Sequence, residues 1–276
     1  MRSAVAGLIA AGILTADAPA ADPLLDRYRP TLVYSHKERD RTTAVDAIVP
    51  RLGDRDRVDL EDERPGREVV YGHRVRDPED GRTWLQYWLF YLYNGQDRGV
   101  LRSGRHEGDW ELVQLRLGPG GGPDRMTLSQ HSWAEGCAHR GGAPVVFVAN
   151  ASHALYSRPA THDRQWPDPD DEADGRGRRV RPPVTPIADG DPAWTRWPGR
   201  WGDSEAGIVP IEHPSPRGPA FQERRPWQGP SAYDAAHARD CGSLPPRRAW
   251  QWPLAIGVLA LAALLAARRA TYNRSP

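Results

Sequence analysis

Residues 249 to 267, AWQWPLAIGVLALAALLAA, contain one polar side chain, Gln251, and run directly into Arg268 and Arg269. A helix needs about 20 consecutive apolar residues to cross a bilayer. Trp250 and Trp252 suit the outer interface, and the arginines hold a short tail, residues 268–276, on the inner side. A buried core helix is the alternative, but it does not account for tryptophan on one flank and arginine on the other. At the opposite end Met1-Arg2 precedes an apolar run, Ala4 to Leu14, and Ala18-Pro19-Ala20 follows. That order reads as a secretory signal over residues 1–20, with an uncleaved N-terminal anchor as the alternative. The expectation is a single-pass protein of the cell membrane whose main domain, residues 22–248, lies outside the cytoplasm.

Composition narrows what that domain does. With 37 Lys+Arg against 36 Asp+Glu, the formal net charge is +1. Nucleic-acid binders carry a strong basic excess, so nucleic acid is excluded as a partner. The 27 Gly and 27 Pro argue for many turns rather than long helices. A short helix or turn leading into a strand is expected over Leu24 to Tyr34. Strands are expected over Arg67–Arg76, Thr83–Asn94 (TWLQYWLFYLYN), Trp110–Leu117, Met126–Trp133 and Pro144–Asn150. Aromatic and β-branched residues fit a pleated, half-buried surface. The predicted fold is mostly β, a β-sandwich or jelly roll with long loops, plus one C-terminal transmembrane helix. The segment Ser157 to Pro183, with its acidic run Asp168 to Gly175, reads as a solvated surface insertion. A calcium loop there would need a bidentate Glu where Arg181 stands. Cys137 and Cys241 are the only cysteines, and an oxidising compartment permits a bridge between them, with two free thiols as the alternative.

The most informative stretch is Gly104-Arg105-His106-Glu107-Gly108-Asp109-Trp110-Glu111. On a strand, Asp109, Glu111, Val113, Leu115 and Leu117 share one face, and Trp110, Leu112, Gln114 and Arg116 share the other. The first face is the better core candidate, which points two carboxylates inward at one strand end. Buried carboxylates need a cation or donors. With His106 in the Gly-flanked turn before them, the set suits a divalent cation: magnesium, calcium or manganese. Pairing with nearby arginines in a purely structural network is the alternative. Asn94 and Asp97, after the aromatic strand, are further candidate ligands. His131 and His153 follow neighbouring strands and are candidate general bases.

These residues resemble the vacuolar protein sorting-associated protein 62 family. The resemblance is carried by RYRPTLVY, YWLFYLYN, the HEGDWE box at His106 to Glu111, His131 with PVVFVANASHALY, and WPGRWG at Trp197 to Gly202. More distantly, the box is similar to the His-x-x-Asp-Trp-Glu box of the necrosis- and ethylene-inducing-like proteins. That similarity implies a β-sandwich with a divalent cation held by His106, Asp109, Glu111 and an upstream acid, which falls here at Asn94 or Asp97. Three functions follow as expectations. The first is a cation-dependent module binding a carbohydrate or lipid headgroup, with tryptophan and tyrosine rings stacking on sugar. The second is a metal-assisted envelope hydrolase using His131 or His153. The third is a structural surface domain in which the box is an ion-pair network.

Overall fold

The computed structural model describes residues 21–96, 104–164, 168–204 and 214–242. The expected signal, the apolar segment 249–267 and its tail lie outside these residues, as does Asp97. Among the described residues no helix is long and apolar enough to cross a membrane.

The protein is mostly β. In chain order the strands are β1 (Thr31–Tyr34), β2 (Arg57–Val58), β3 (Val70–Arg76), β4 (Thr83–Asn94), β5 (His106–Leu117), β6 (Pro123–Gln130), β7 (Trp133–Ala138) and β8 (Val145–Val148). They continue as β9 (Leu155–Tyr156), β10 (Ala160–His162), β11 (Asp171–Ala173), β12 (Arg179–Val180), β13 (Val184–Pro186), β14 (Arg200–Trp201) and β15 (Ala238–Asp240). Helix α1 (Pro23–Tyr28) starts on Asp22, whose carboxylate accepts the Leu24 N–H at 2.9 Å, and helix α2 spans Pro230–His237. Proline at the first turn of each helix suits a position whose N–H is unpaired anyway.

A seven-stranded sheet runs β13-β3-β4-β5-β6-β7-β15, and a four-stranded one runs β12-β1-β8-β9. From β3 to β7 the strands follow one another as an antiparallel meander, with β13 and β15 added in parallel at the edges. A jelly roll is built from two Greek keys, so that part of the expectation is corrected. Its spine is the pairing of β4 with β5, in register from Trp84↔Arg116 to Asn94↔His106.

Strand alternation explains the layers. Leu85, Tyr87, Leu89 and Tyr91 of β4 join Val113, Leu115 and Leu117 of β5 in an apolar cluster with Leu32 and Tyr34 of β1, Val146 and Val148 of β8 and Leu155 of β9. That cluster therefore lies between the two sheets. The other face was expected to be the less buried one. Instead Trp88, Phe90, Trp110 and Leu112 join a second cluster with Val45, Ile48, Trp194, Trp197, Trp201 and Trp227. Irregular segments cover this face, among them the 3-10 turns at Ala193–Arg196 and Pro219–Phe221. Trp201 is fully buried, and its ring meets Phe90, Trp110, Trp194 and Trp197 edge-on at 5.3 to 5.6 Å. Gly108, at φ +62°, lets that segment approach, since a Cβ there would sit 1.6 Å from the Trp201 carbonyl oxygen.

Cys137 on β7 and Cys241 just beyond β15 form a disulfide, with their Cα atoms 4.9 Å apart. It fastens the last described segment onto the sheet edge that β15 extends. A stable disulfide points to an oxidising, extracytoplasmic compartment.

Trp201→Ala is expected to lower unfolding stability by about 3–5 kcal/mol, the usual cost of truncating a fully buried large aromatic. Urea denaturation of the two proteins measures it. A change under about 1 kcal/mol would mean the outer aromatic layer is not part of the core.

Candidate functional site

Between two apolar layers a polar side chain on these strands needs a partner supplied by the fold. At one end a network of buried polar groups assembles. The turn after β8 builds it: Ala151 and His153 both adopt positive φ, +63° and +56°. Such backbone is unusual for residues other than glycine. It aims Ser152 and His153 in different directions from one tight loop.

His153 is completely buried, and its ring stacks on Tyr91 with centroids 3.8 Å apart. Its Nδ1 lies 2.9 Å from Asp109 Oδ2. The Asn94 side-chain amide donates to the same oxygen at 3.2 Å and to the Ser152 carbonyl at 3.4 Å. His153 Nε2 has no hydrogen-bond partner. It faces Glu38 Oε2 at 3.8 Å and Asp40 Oδ2 at 4.0 Å. Burial opposes protonation of this ring, but the Asp109 hydrogen bond and the charges of Glu38, Asp109 and Asp40 outweigh it, so its pKa is raised.

Asp171 is the second node and is also fully buried. It accepts from Gln96 Nε2 at 2.9 Å, Ser152 Oγ at 2.7 Å and Tyr156 Oη at 2.6 Å, and His131 Nε2 lies 2.7 Å away. Burial alone would raise its pKa; His131, the Arg164 charge and the Tyr156 hydrogen bond overcome that and hold it well below the usual carboxylate range. Glu111 goes the other way. Burial, then the negative charge of Asp109, push its carboxyl well above the ordinary range, and only the short Ser129 hydroxyl bond works strongly against this. A pair of nearby carboxylates resolves into one charged and one neutral group when both cannot be solvated.

Of the residues proposed from sequence, Asn94, Asp109, Glu111, His131 and His153 therefore belong to one network. His106 lies outside it. Its Nδ1 is 2.8 Å from the Gly108 carbonyl oxygen, so the ring folds back onto its own strand. Among the described residues, no group of three closely spaced ligand atoms includes His106, Asp109 or Glu111. In this structure Asp109 contacts His153 and Asn94, and Glu111 accepts from the Ser129 hydroxyl. The groups that do cluster are Glu38–Asp40–His153, the exposed His36–Glu172–Asp174, and Glu135 beside the disulfide. Disulfide sulfurs are not thiolate ligands, and His36 and Asp174 are already hydrogen-bonded to one another.

Sequence reasoning missed Glu38, Asp40 and Asp171. The first two sit in HKERDR, indistinguishable from a solvated charge run. Asp171 sits in the acidic stretch read as a surface insertion. That stretch instead forms β11, paired with β10, and turns Asp171 inward while Glu172 stays accessible enough to pair with Lys37.

Asp171→Asn should cost about 3–5 kcal/mol at neutral pH, as expected when one member of a buried charged set is removed. A depressed carboxylate contributes stability that is present above its unfolded pKa, about 3.9, and is lost as pH falls through the folded value. The gap between wild type and variant should therefore be flat above about pH 5 and shrink in acid. Denaturation at several pH values checks the sign; a gap that widens in acid contradicts the ionised assignment.

No family model matches the chain, and no curated protein matches it. Solved structures give weak matches. Necrosis- and ethylene-inducing protein 2 from the causal agent of cocoa's witches' broom disease is 13% identical, with a TM-score of 0.38, over 61% of this chain and 75% of that one. A mutant of NLPPya is 14% identical, with a TM-score of 0.39, over 75% and 88%. NLPPya in complex with glucosamine is 15% identical, with a TM-score of 0.34, over 48% and 63%. The chain bears a distant structural similarity to the fold of the necrosis- and ethylene-inducing proteins.

Proposed function

We propose that this chain is an extracytoplasmic module, residues 22–248, that binds a divalent cation (magnesium, calcium or manganese) and through it a carbohydrate. In this reading residues 1–20 are its signal, 249–267 its single membrane span and 268–276 its inner tail. The reading keeps the kinship with the vacuolar protein sorting-associated protein 62 family that the HEGDWE box suggests. One observation carries it: a fully buried histidine, His153, has one ring nitrogen on Asp109 and the other, unpartnered, turned toward Glu38 and Asp40.

A cavity of about 510 Å³ opens beside Asp40. Its lining holds the carboxylates of Asp40, Asp59, Glu61, Glu63, Glu107 and Asp203 against one guanidinium, Arg41. Arg51 and Arg57 reach Glu63 and Asp203 and soften this charge without reversing it. An acidic cavity repels a phosphate headgroup and tolerates a neutral or amine-bearing sugar. The ligand class is therefore carbohydrate before lipid headgroup. Stacking by tryptophan no longer supports the reading: among the described tryptophans only Trp133 is partly exposed, and the Arg239 guanidinium lies 4.0 Å over its ring. Tyr93 is the aromatic side chain in the cavity lining, so sugar stacking falls to it.

The hydrolase alternative has one observation in its favour. His131 is partly exposed and is oriented by Asp171 at 2.7 Å, as a carboxylate orients a general base. Release of reducing sugar ends from envelope glycans, abolished in His131→Gln, would select that reading.

The binding reading is tested on full-length protein in detergent, stripped of metal and titrated calorimetrically with magnesium, calcium and manganese. One of these ions should bind, and glycan-array retention should fall at least about tenfold with chelator, a difference of about 1.4 kcal/mol. Glycan binding indifferent to chelator, or no cation binding at all, removes the proposal.

A further inference from the structure

We infer that the cation sits between Glu38, Asp40 and the Nε2 of His153, outside the HEGDWE box, and that Asp109 is the carboxylate that orients His153 toward it. This deepens the cation-dependent reading above and rests on it.

One buried atom at this place lacks a partner. His153 is completely shielded from solvent, and its Nε2 makes no hydrogen bond. Buried polar atoms are nearly always paired, so an orphan asks for an explanation. The Nδ1 side gives the first half of it. Asp109 Oδ2 at 2.9 Å fixes a proton on Nδ1, which leaves the Nε2 lone pair aimed outward. That is the carboxylate–histidine–metal arrangement, in which an outer carboxylate sets the tautomer and basicity of the ligating ring.

The second half is what faces the lone pair. Glu38 Oε2 and Asp40 Oδ2 are 3.8 and 4.0 Å from Nε2. Both distances exceed hydrogen-bond range. They fall within the separation of two ligands on one ion, about 3.0 to 4.2 Å for bonds of about 2.1 Å. All three ligand atoms lie within 4.8 Å of one another. Glu38 is held in place by two backbone donors, the Asp40 N–H on Oε1 at 2.7 Å and the Ala151 N–H on Oε2 at 2.5 Å. Ala151 is one of two positive-φ residues in the turn that also positions His153, so one loop sets two ligands at once. Asp40 differs: its side chain is 45% exposed and lines the acidic cavity. The site is thus closed on the histidine side and open on the aspartate side, where coordination positions remain for water or ligand oxygens.

The donor set also narrows the ion. Two carboxylates with one imidazole suit manganese better than calcium, which takes six to eight oxygen ligands. Box residues keep other tasks. Asp109 acts through His153, Glu111 stays with Ser129, and His106 stays with the Gly108 carbonyl.

The test is manganese binding to the full-length, metal-stripped protein, followed by calorimetry and by electron paramagnetic resonance. Wild type should bind one manganese with nitrogen coupling from a single imidazole. The double variant Glu38→Gln/Asp40→Asn should weaken binding by about 100-fold or more, and Asp109→Asn by about 10- to 100-fold, as outer-shell changes do. Glu111→Gln and His106→Gln should stay within about threefold of wild type, since they lie outside the set of ligands. Asp40→Asn alone, on a half-exposed side chain, guards against misfolding of the double variant and should still weaken binding. If wild type binds but Glu111→Gln or His106→Gln abolishes binding while Asp40→Asn does not affect it, the ion is in the box. This assignment then fails and the cation-dependent function survives. Absence of nitrogen coupling also overturns the assignment. If wild type binds no divalent ion, both fall, and His153 is an imidazolium among acids.

Discussion

The central sheet is buried on both faces, and nearly everything else follows from that. β4 and β5 pair over most of their twelve residues each and alternate large apolar side chains to opposite sides. One face meets the four-stranded sheet, and the other meets a layer of loops pinned by tryptophan. Full burial of a large apolar side chain contributes about 1.5–3 kcal/mol, so a two-sided hairpin of this length is a strong organiser. It also leaves no solvent along its length for a polar group. Gln86 and Gln114, buried mid-strand, are accordingly tied to the Pro226 and Pro230 carbonyls.

At the end where β4 and β5 meet the turn after β8, charge is settled by partners rather than by water. Asp171 collects donors from four side chains and ionises; Glu111, beside Asp109 and with one hydroxyl donor, is driven toward its neutral form. Burial acts on both acids, so the neighbouring charges and donors, His131 and Arg164 beside Asp171 and Asp109 beside Glu111, decide their different fates. Asp109 is placed differently. It accepts from Asn94 and contacts His153 with the same oxygen, which commits it to orienting neighbours.

Much of this architecture was legible in the sequence. Aromatic and β-branched density marked β4, and alternation marked β5 and its acid-bearing face. β7 escaped notice because WAEGCA places glycine and glutamate in mid-strand. Glu135 is buried there, accepting from the Ser157 N–H and hydroxyl and from the Gly242 N–H, partners that exist only after long-range folding. The second apolar face was also hidden. Trp110 and Leu112 share it with Gln114 and Arg116, and the loops that cover it come from far earlier in the chain, around Val45 and Ile48, and far later, around Trp194, Trp201 and Trp227. The charged run around Glu38 and the acidic run around Asp171 look solvated for the same reason. Local composition does not say which one residue of a charged stretch will turn inward.

The HEGDWE box shows how much of a short pattern the fold itself uses. Its spacing does bring Asp109 and Glu111 to an inward end of the strand. Yet Trp110 packs in the outer aromatic layer, with Phe90 at 4.8 Å and Trp201 at 5.4 Å. Glu107 accepts the Leu60 and Asp203 N–H groups at 2.9 Å each. Gly108 admits the Trp201 backbone. These residues satisfy the demands of a strand clamped between two layers, and those demands are enough to account for them as a group. Several buried polar atoms lack a hydrogen-bond partner, the Trp110 and Trp201 indole nitrogens among them, but the Nε2 of His153 also faces two carboxylates. A buried ring nitrogen left unanswered beside two acids is thus a pointer independent of the motif's letters.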